Sequence, residues 1–145
     1  MEHVKSKDIL LSVNIGTEAA PEWKKLGCST SKGFSLTTDS VSIATDCNGG
    51  FTSNKPGDSS WSFDESAYVP KNADSSYLTE DELFEITANK EIHQWKLESI
   101  DPDFTYLRQG NGWISDLGET TDAGDYLQRS VTITGDGEVT NVQLT

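Results

Sequence analysis

The chain has 145 residues, a length that fits one domain with a substantial hydrophobic core. Hydrophobic residues make up only 34% and the mean hydropathy is -0.53, but thirteen aromatic residues are spread along the chain and argue against disorder. The net charge is -13, and from Asp64 onward there are seventeen acidic and five basic residues, a balance that argues against binding of nucleic acid through a basic surface.

The first half of the chain predicts β-strands interrupted by one long loop. Asp8–Ile15 is rich in branched apolar residues and Glu22–Leu26 follows a turn, so the two segments predict a hairpin. Gly33–Thr45 and Trp61–Tyr68 predict strands because their apolar residues alternate with polar ones. Asp46–Ser60 contains three glycines and a proline, which predicts a loop of about fifteen residues, and loops of that length are generally functional.

The second half predicts one helix followed by further strands. Thr79–Asn89 begins with a capping threonine, has a glutamate three residues later and carries acids in its first turn, which together predict a helix. Further strands are predicted at 92–100, 104–108, 112–117 and 126–134, with turns at 109–111 and 135–137 and a short last segment at 139–144. The whole chain, 1–145, is therefore predicted to be a single α+β domain dominated by antiparallel sheet.

The motifs of catalysis and metal binding are absent from the sequence. The chain has no nucleophile motif, no phosphate-binding loop and no calcium loop, and no spacing singles out a catalytic carboxylate pair. Cys28 and Cys47 match no metal-ligand pattern; a disulfide between them is one alternative, but free thiols are expected in a reducing cytoplasm. Met1–Lys5 has the character of neither a signal peptide nor a membrane span. We expect no enzymatic activity, no cofactor, no metal and no membrane association.

Several segments follow one another in a characteristic order along the chain. They are Lys5–Leu11, Trp23–Gly27, Ser35–Ala44, Thr45–Phe51, Lys55–Phe63, Gly110–Ser115 and Tyr126–Gly137. In their order and spacing they resemble the major tail proteins of long-tailed siphophages, the TP901-1-like family of tail tube subunits. The resemblance spans most of the chain.

This resemblance implies a β-sandwich or half-barrel with one flanking helix, whose copies form hexameric rings that stack into the phage tail tube. Ring formation would complete a β-barrel and close sheet edges that a single subunit exposes. The implied partners are further copies, a tape measure protein, a tail terminator and baseplate or distal tail proteins. DNA would pass through the lumen during ejection without specific binding, and an acidic lumen would repel its phosphates. The implied location is the virion tail, assembled in the bacterial host cytoplasm.

Contacts between subunits or rings are expected at the N-terminal arm, residues 1–7, and at the long loop, residues 46–60. Glycines would permit the path of the loop, Pro56 would stiffen it, and Phe51 would be its buried anchor. The residues expected at these contacts are Lys5, Lys7, Asn48, Gly49, Gly50, Phe51, Lys55, Pro56, Gly57, Asp58 and Trp61.

Two other functions are compatible with the same residues. Exposed Trp and Tyr on a sheet face would suit a carbohydrate-binding β-sandwich used in adhesion or receptor binding. A tube protein of a related secretion or injection system would share the fold. Rings or tubes of the purified protein would exclude the carbohydrate-binding module, which should instead remain a small, sugar-binding species.

Overall fold

A computed structural model of the chain describes residues 1–43, 47, 49–72 and 74–141. Within them it shows seven β-strands, one α-helix and a turn of 3-10 helix at Ser6–Asp8. The strands are β1 Ile9–Asn14, β2 Trp23–Lys25, β3 Ser29–Ile43, β4 Ser53–Tyr68, β5 His93–Ser99, β6 Leu107–Thr120 and β7 Gln128–Thr140. The helix, α1, spans Glu80–Ala88. The predicted fold class, mainly antiparallel β with one helix, is confirmed.

The strands form one open antiparallel sheet in the order β2-β1-β5-β6-β7-β4-β3. Its edge strands, β2 and β3, are joined only by residues 26–28, so the sheet has to curl until its two edges lie close together. The ammonium group of Lys32 joins the edge strand β3 to the start of β1 on the other side of the sheet. It donates hydrogen bonds to the carbonyl oxygens of Ser6, at 2.9 Å, and Ile9. The subunit is therefore a curled sheet that is not closed by strand pairing.

The core lies on the inner side of the curl, where α1 packs. From Trp61 to Ala67 every second residue of β4 is buried and the residues between are exposed or half-buried, which is the two-residue period of a strand. In α1, Thr79 and Glu82 form the predicted capping box. The buried apolar side chains are Leu11, Val13, Leu26, Trp61, Phe63, Ala67, Leu78, Leu83, Ile86, Trp95, Leu97, Ile114, Val131 and Ile133.

A buried ionic cluster fastens α1 to the sheet. Arg129 on β7 donates to Glu65 Oε1 at 2.9 Å, to the carbonyl oxygen of Gly27 at 3.1 Å and to Glu80 at the start of α1. Ser29 donates to the second oxygen of Glu65 at 3.0 Å. Burial alone would lower the pKa of Arg129, but the charges and hydrogen bonds of the two glutamates outweigh it and raise that pKa above its ordinary value. The guanidinium group therefore stays charged.

Two predicted turns, at 109–111 and 135–137, are wrong, because β6 and β7 continue through their glycines. A Cβ atom added at Gly110 or Gly135 would come within 2.6 or 2.2 Å of the indole ring of Trp61. The indole nitrogen of Trp95 likewise donates to the carbonyl oxygen of Gly112, at 3.1 Å. These glycines leave room for tryptophan rings inside strands, which a local sequence pattern does not distinguish from a turn. The predicted segment at 139–144 is the end of β7 as far as residue 140, and residues 142–145 lie outside the described part.

Candidate assembly surfaces

The hairpin of β3 and β4 extends beyond the rest of the sheet. The two strands pair from Ser29–Ala67 to Ile43–Ser53, but β7 pairs only with the Ser62–Tyr68 part of β4. The outer part of the hairpin, residues 36–43 and 53–61, is therefore a two-stranded structure, here called the ribbon. An isolated two-stranded ribbon is marginally stable in water, so contact with another chain would stabilise this one.

The loop that was predicted at 46–60 is shorter in the structure, because part of it belongs to the ribbon. Residues 53–60 belong to β4, and the connection between the strands is confined to residues 44–52. Pro56 is accommodated because it lies on a stretch of strand with only one neighbour, where a missing N–H group is tolerated. Gly57 lies at a bulge opposite Asp39, and a Cβ atom there would come within 2.9 Å of Val41 Cγ2. Close packing at a bulge, rather than a turn, explains this glycine.

The tip of the hairpin contains the residues that were expected to form contacts. Gly49 and Gly50 have φ angles of 61° and 87°, in the left-handed region that favours glycine. Phe51 is 81% exposed in the subunit, so its predicted burial against another copy stays a prediction. Asn48 lies outside the described residues.

The ribbon also exposes apolar and charged side chains along its length. Leu36 and Val41 are 57% and 48% exposed, although their alternation in the sequence suggested a buried strand face. Lys55 and Asp58, both predicted at the interface, are exposed. The ribbon therefore offers apolar surface flanked by charges of both signs, which is the usual composition of a protein contact.

Trp61 joins the ribbon to the core. Its side chain is buried, and its indole nitrogen donates to the carbonyl oxygen of Gly137 at 2.9 Å. The ring lies against Gly135 on the neighbouring strand β7 and against Gly110 on β6, the strand beyond it, and contacts Phe63 edge-on. Trp61 was predicted at the interface; within the subunit it is a core residue at the point where the ribbon leaves the sheet, and its role in contacts between copies stays a prediction.

The N-terminal arm, residues 1–7, lies on the surface beside an apolar groove. The groove, of about 390 Å³, is lined by Val4, Lys5, Ser6, Ile9, Lys32, Gly33, Phe34, Leu97, Phe104 and Tyr106. Lys5 and Lys7 are exposed. Burial lowers the pKa of Lys32 and the nearby charge of Glu65 opposes this shift, so Lys32 holds the arm from a partly desolvated position.

The outer face of β3, β4, β7 and β6 carries mostly short polar side chains, together with the exposed Trp113, and is here called the hydroxyl face. Directly paired residues of neighbouring strands share a face of the sheet, so the strand registers define three rows across these four strands. The rows are Ser35–Ser62–Thr134–Trp113, Gly33–Asp64–Thr132–Asp116 and Ser31–Ser66–Ser130–Gly118. All twelve residues are exposed or half-buried, so none of the elements that the structure describes covers this face.

The described residues show neither a metal site nor a membrane helix. No group of three or more His, Cys, Asp or Glu side chains in residues 1–43, 47, 49–72 and 74–141 is placed to hold a metal ion. In the same part of the chain, no helix is both long and apolar enough to span a bilayer. Cys28 and Cys47 are both exposed and unpaired.

Comparison with known proteins identifies the family of the chain. The sequence profile of the family described as phage tail tube protein matches residues 3–141. The chain belongs to the phage tail tube protein family. Its role is therefore structural, as a building block of a tube, and the narrower TP901-1-like resemblance stays a prediction.

Solved tail structures share the fold of this tail tube subunit. A chain from the tail of an empty gene transfer agent particle with C6 symmetry matches with a TM-score of 0.75 and 15% identity over 97% of this chain and 100% of that one. The SPP1 tail tube matches with a TM-score of 0.73 and 9% identity over 96% and 78%. An anti-feeding prophage cap matches with a TM-score of 0.68 and 11% identity over 99% and 93%. A search among functionally characterised proteins finds no significant sequence match.

Proposed function

We propose that copies of this subunit assemble into hexameric rings that stack into a phage tail tube, the conduit for DNA ejection. The observation that carries the proposal is the ribbon, a projecting hairpin with exposed apolar side chains and strand edges that the subunit itself leaves uncovered. The C6 symmetry of the gene transfer agent tail supports the number six.

Ring formation also resolves the open edges of the sheet. β3 is an edge strand of 15 residues, and long edge strands invite pairing with other chains. A head-to-tail contact between identical subunits closes into a ring when the rotation fits, and the ring then has no free edge. Pairing of strands from neighbouring copies would make one continuous barrel from sheets that are each incomplete.

The remaining parts of the proposal concern contacts within the tail. The N-terminal arm and the hairpin tip, with Phe51 as anchor, would contact neighbouring copies or stacked rings. A tape measure protein inside the tube, and terminator, baseplate or distal tail proteins at its ends, are the proposed partners. The subunit would act without catalysis and without a cofactor, in the virion tail, after assembly in the host cytoplasm.

Electron microscopy of the purified protein at high concentration tests this function. We expect the unmodified chain to form rings or tubes. A stable monomer at every concentration would contradict the proposal, and binding of glycans by that monomer would favour the carbohydrate-binding alternative instead.

The variant Phe51→Ala tests the hairpin anchor, and Phe84→Ala is a matched control. Both phenylalanines are largely exposed, at 81% and 61%, but Phe84 lies on α1, away from the hairpin. An anchor side chain is worth about 2 kcal/mol, so Phe51→Ala should raise the concentration needed for assembly roughly thirtyfold, while Phe84→Ala should not change it. Both variants should remain folded by circular dichroism. Normal tubes from Phe51→Ala would exclude the anchor role.

The fold likeness to the anti-feeding prophage cap supports one second candidate, a tube of an injection system. Such a tube and a phage tail tube share the subunit fold, so the subunit alone does not separate them. Isolation of particles that contain this subunit would separate the two candidates. Packaged DNA would support the phage tail, and particles with a tube but without DNA would support the injection system.

A further inference from the structure

The groove beside the N-terminal arm is a part of the core that the subunit leaves uncovered. Its floor includes Ile9, Phe34 and Tyr106, which are half-buried and pack against the buried core. Its rim includes Val4 and Phe104, which are 42% and 38% exposed. These side chains lose contact with water when another apolar group covers them, so the groove favours an apolar occupant.

The same groove is basic, although the chain as a whole is strongly acidic. Lys5 and Lys32 line it, and the guanidinium group of Arg108 stacks on Tyr106, 4.5 Å from the centre of the ring. None of the ten residues that line the groove is acidic, whereas the net charge of the chain is -13. An apolar group with negative charge around it is therefore the complementary occupant.

The tip of the β3–β4 hairpin has these properties. Phe51 is 81% exposed and follows two glycines with positive φ angles. Residues 36–61, the ribbon and its connection, contain three acids and one lysine. The groove has a volume of about 390 Å³, and a cavity of about 150 Å³ is enough to hold a benzene ring. The groove therefore has room for the phenyl ring and for part of the hairpin backbone.

The length of the ribbon decides whose hairpin could enter the groove. Phe34, on the groove floor, lies two residues before Leu36, where the ribbon begins. At about 3.3 Å per residue, the eight residues from Leu36 to Ile43 carry the tip roughly 25 Å away from the groove of the same subunit. A phenylalanine in this groove would therefore come from another copy. A contact between two different surfaces of identical subunits is head-to-tail and continues from copy to copy.

We propose that the groove of one copy receives Phe51 from the hairpin tip of a second copy. The inference rests on the tube function proposed above and names the surface that receives its hairpin anchor. It also explains the position of the N-terminal arm, which forms one wall of the groove and is held there by the hydrogen bond from Lys32 to the carbonyl oxygen of Ser6, at 2.9 Å.

Cross-linking of assembled protein with a short bismaleimide tests the contact. In a Cys28→Ser and Cys47→Ser background, Thr52→Cys places a thiol beside Phe51, and Ser6→Cys places one in the groove; both positions are exposed in the subunit. Because each subunit carries both thiols, assembled protein should give a ladder of cross-linked species on a denaturing gel. Dilute, unassembled subunits should give no ladder.

Two control pairs keep Thr52→Cys and move the second thiol to another exposed position. Ala88→Cys lies on α1. Thr121→Cys lies at the end of the sheet away from the ribbon, next to the rival apolar surface of Tyr68 and Tyr126, which are 42% and 77% exposed. Neither control pair should give a ladder in assembled protein.

A double-mutant cycle tests whether the two aromatic rings meet. Phe51→Ala should raise the concentration needed for assembly roughly thirtyfold, and Phe104→Ala, on the groove rim, roughly tenfold. If the rings contact each other, the double variant should need no more than about thirtyfold, because its second truncation removes a partner that is already lost. Independent sites would give the product, about three-hundredfold. Phe84→Ala should change the threshold in neither background, and all variants should remain folded by circular dichroism.

The tube function and the groove contact fail in different ways. Unmodified protein that never assembles would overturn the tube function, and the groove contact with it. Tubes in which residue 52 fails to cross-link to residue 6, or cross-links to residue 121 instead, would overturn the groove contact alone. A double variant whose threshold rises by the full product would do the same.

Discussion

Replacement of Arg129 by methionine should be among the most damaging single changes in this subunit. The side chains of Arg129 and Glu65 are 1% and 0% exposed, and the guanidinium group also reaches Glu80 and the Gly27 carbonyl oxygen. Arg129→Met keeps an unbranched side chain, although a shorter one, and leaves the buried carboxylate of Glu65 with its hydrogen bond from Ser29 but without its counter-charge. Breaking a buried pair in this way costs about 3–5 kcal/mol.

That cost is large relative to the stability of an ordinary domain, which is about 5–15 kcal/mol. It corresponds to a fall in melting temperature of roughly 6 to 20 °C for a chain of this size. Urea unfolding of the unassembled subunit at pH 7, followed by tryptophan fluorescence, measures it directly. The comparison requires equal slopes of the unfolding free energy against urea, so that both proteins unfold from similarly compact states.

The double variant Arg129→Met with Glu65→Leu separates the ionic contribution from packing. Replacing both charges by apolar side chains is often neutral or even stabilising, so the double variant should recover much of the loss. A single variant that loses less than about 1 kcal/mol would show that the pair is not buried as described. A double variant that loses the sum of its two single variants would show that the pair is not coupled, and either result would refute the reasoning.

Three further predictions concern packing, pH and the N-terminal arm. Gly135→Ala should lose about 1–3 kcal/mol of unfolding free energy, because its Cβ atom would overlap the Trp61 indole ring, whereas Gly33→Ala, with open space around it, should change that energy by less than about 0.5 kcal/mol in the same urea assay. Burial alone would raise the pKa of Glu82, but hydrogen bonds from its lysine and threonine partners outweigh burial and lower that pKa below its ordinary value of 4.5. The stabilisation by the charged carboxylate should therefore be complete above pH 4.5 and be lost as the pH falls below it. The difference in unfolding free energy between the unmodified chain and Glu82→Gln should close between about pH 7 and pH 3. Lys32→Met removes one hydrogen bond to Ser6 in the arm and another to Ile9 just after it, so trypsin should cleave faster at the lysines of residues 1–7, with cleavage at the other lysines and arginines unchanged.

The elements predicted well are those whose signals are local. The β1–β2 hairpin and α1 follow from composition, alternation and a capping box, all within a few residues of one another. The failures at Gly110, Gly135 and Gly57 have a common cause, because each glycine accommodates a side chain from a distant part of the chain. A glycine that makes room for a tertiary contact has the same local sequence pattern as a glycine in a turn.

The assembly surfaces were predictable only in outline. Phe51 and its glycines were located from loop composition, and the structure leaves that side chain exposed. The exposure of Leu36 and Val41 could not be foreseen, since alternation reports that a strand has two faces but not whether either face is covered. The hydroxyl face was missed for a related reason, because its rows join four strands whose register depends on the whole sheet.

In the proposed tube, Trp61 would link the stability of the subunit to the geometry of its assembly. The same indole ring fills the core beside Phe63 and holds the carbonyl oxygen of Gly137, at the point where the ribbon leaves the sheet. Because protein cores are close-packed, a displaced ring at this point shifts the ribbon rather than being absorbed locally. A long ribbon magnifies a small change of angle at its base into a displacement of Phe51 at its tip. In the proposed tube, core packing and contacts between copies would therefore share one physical constraint, which Gly110 and Gly135 satisfy by leaving room for the ring.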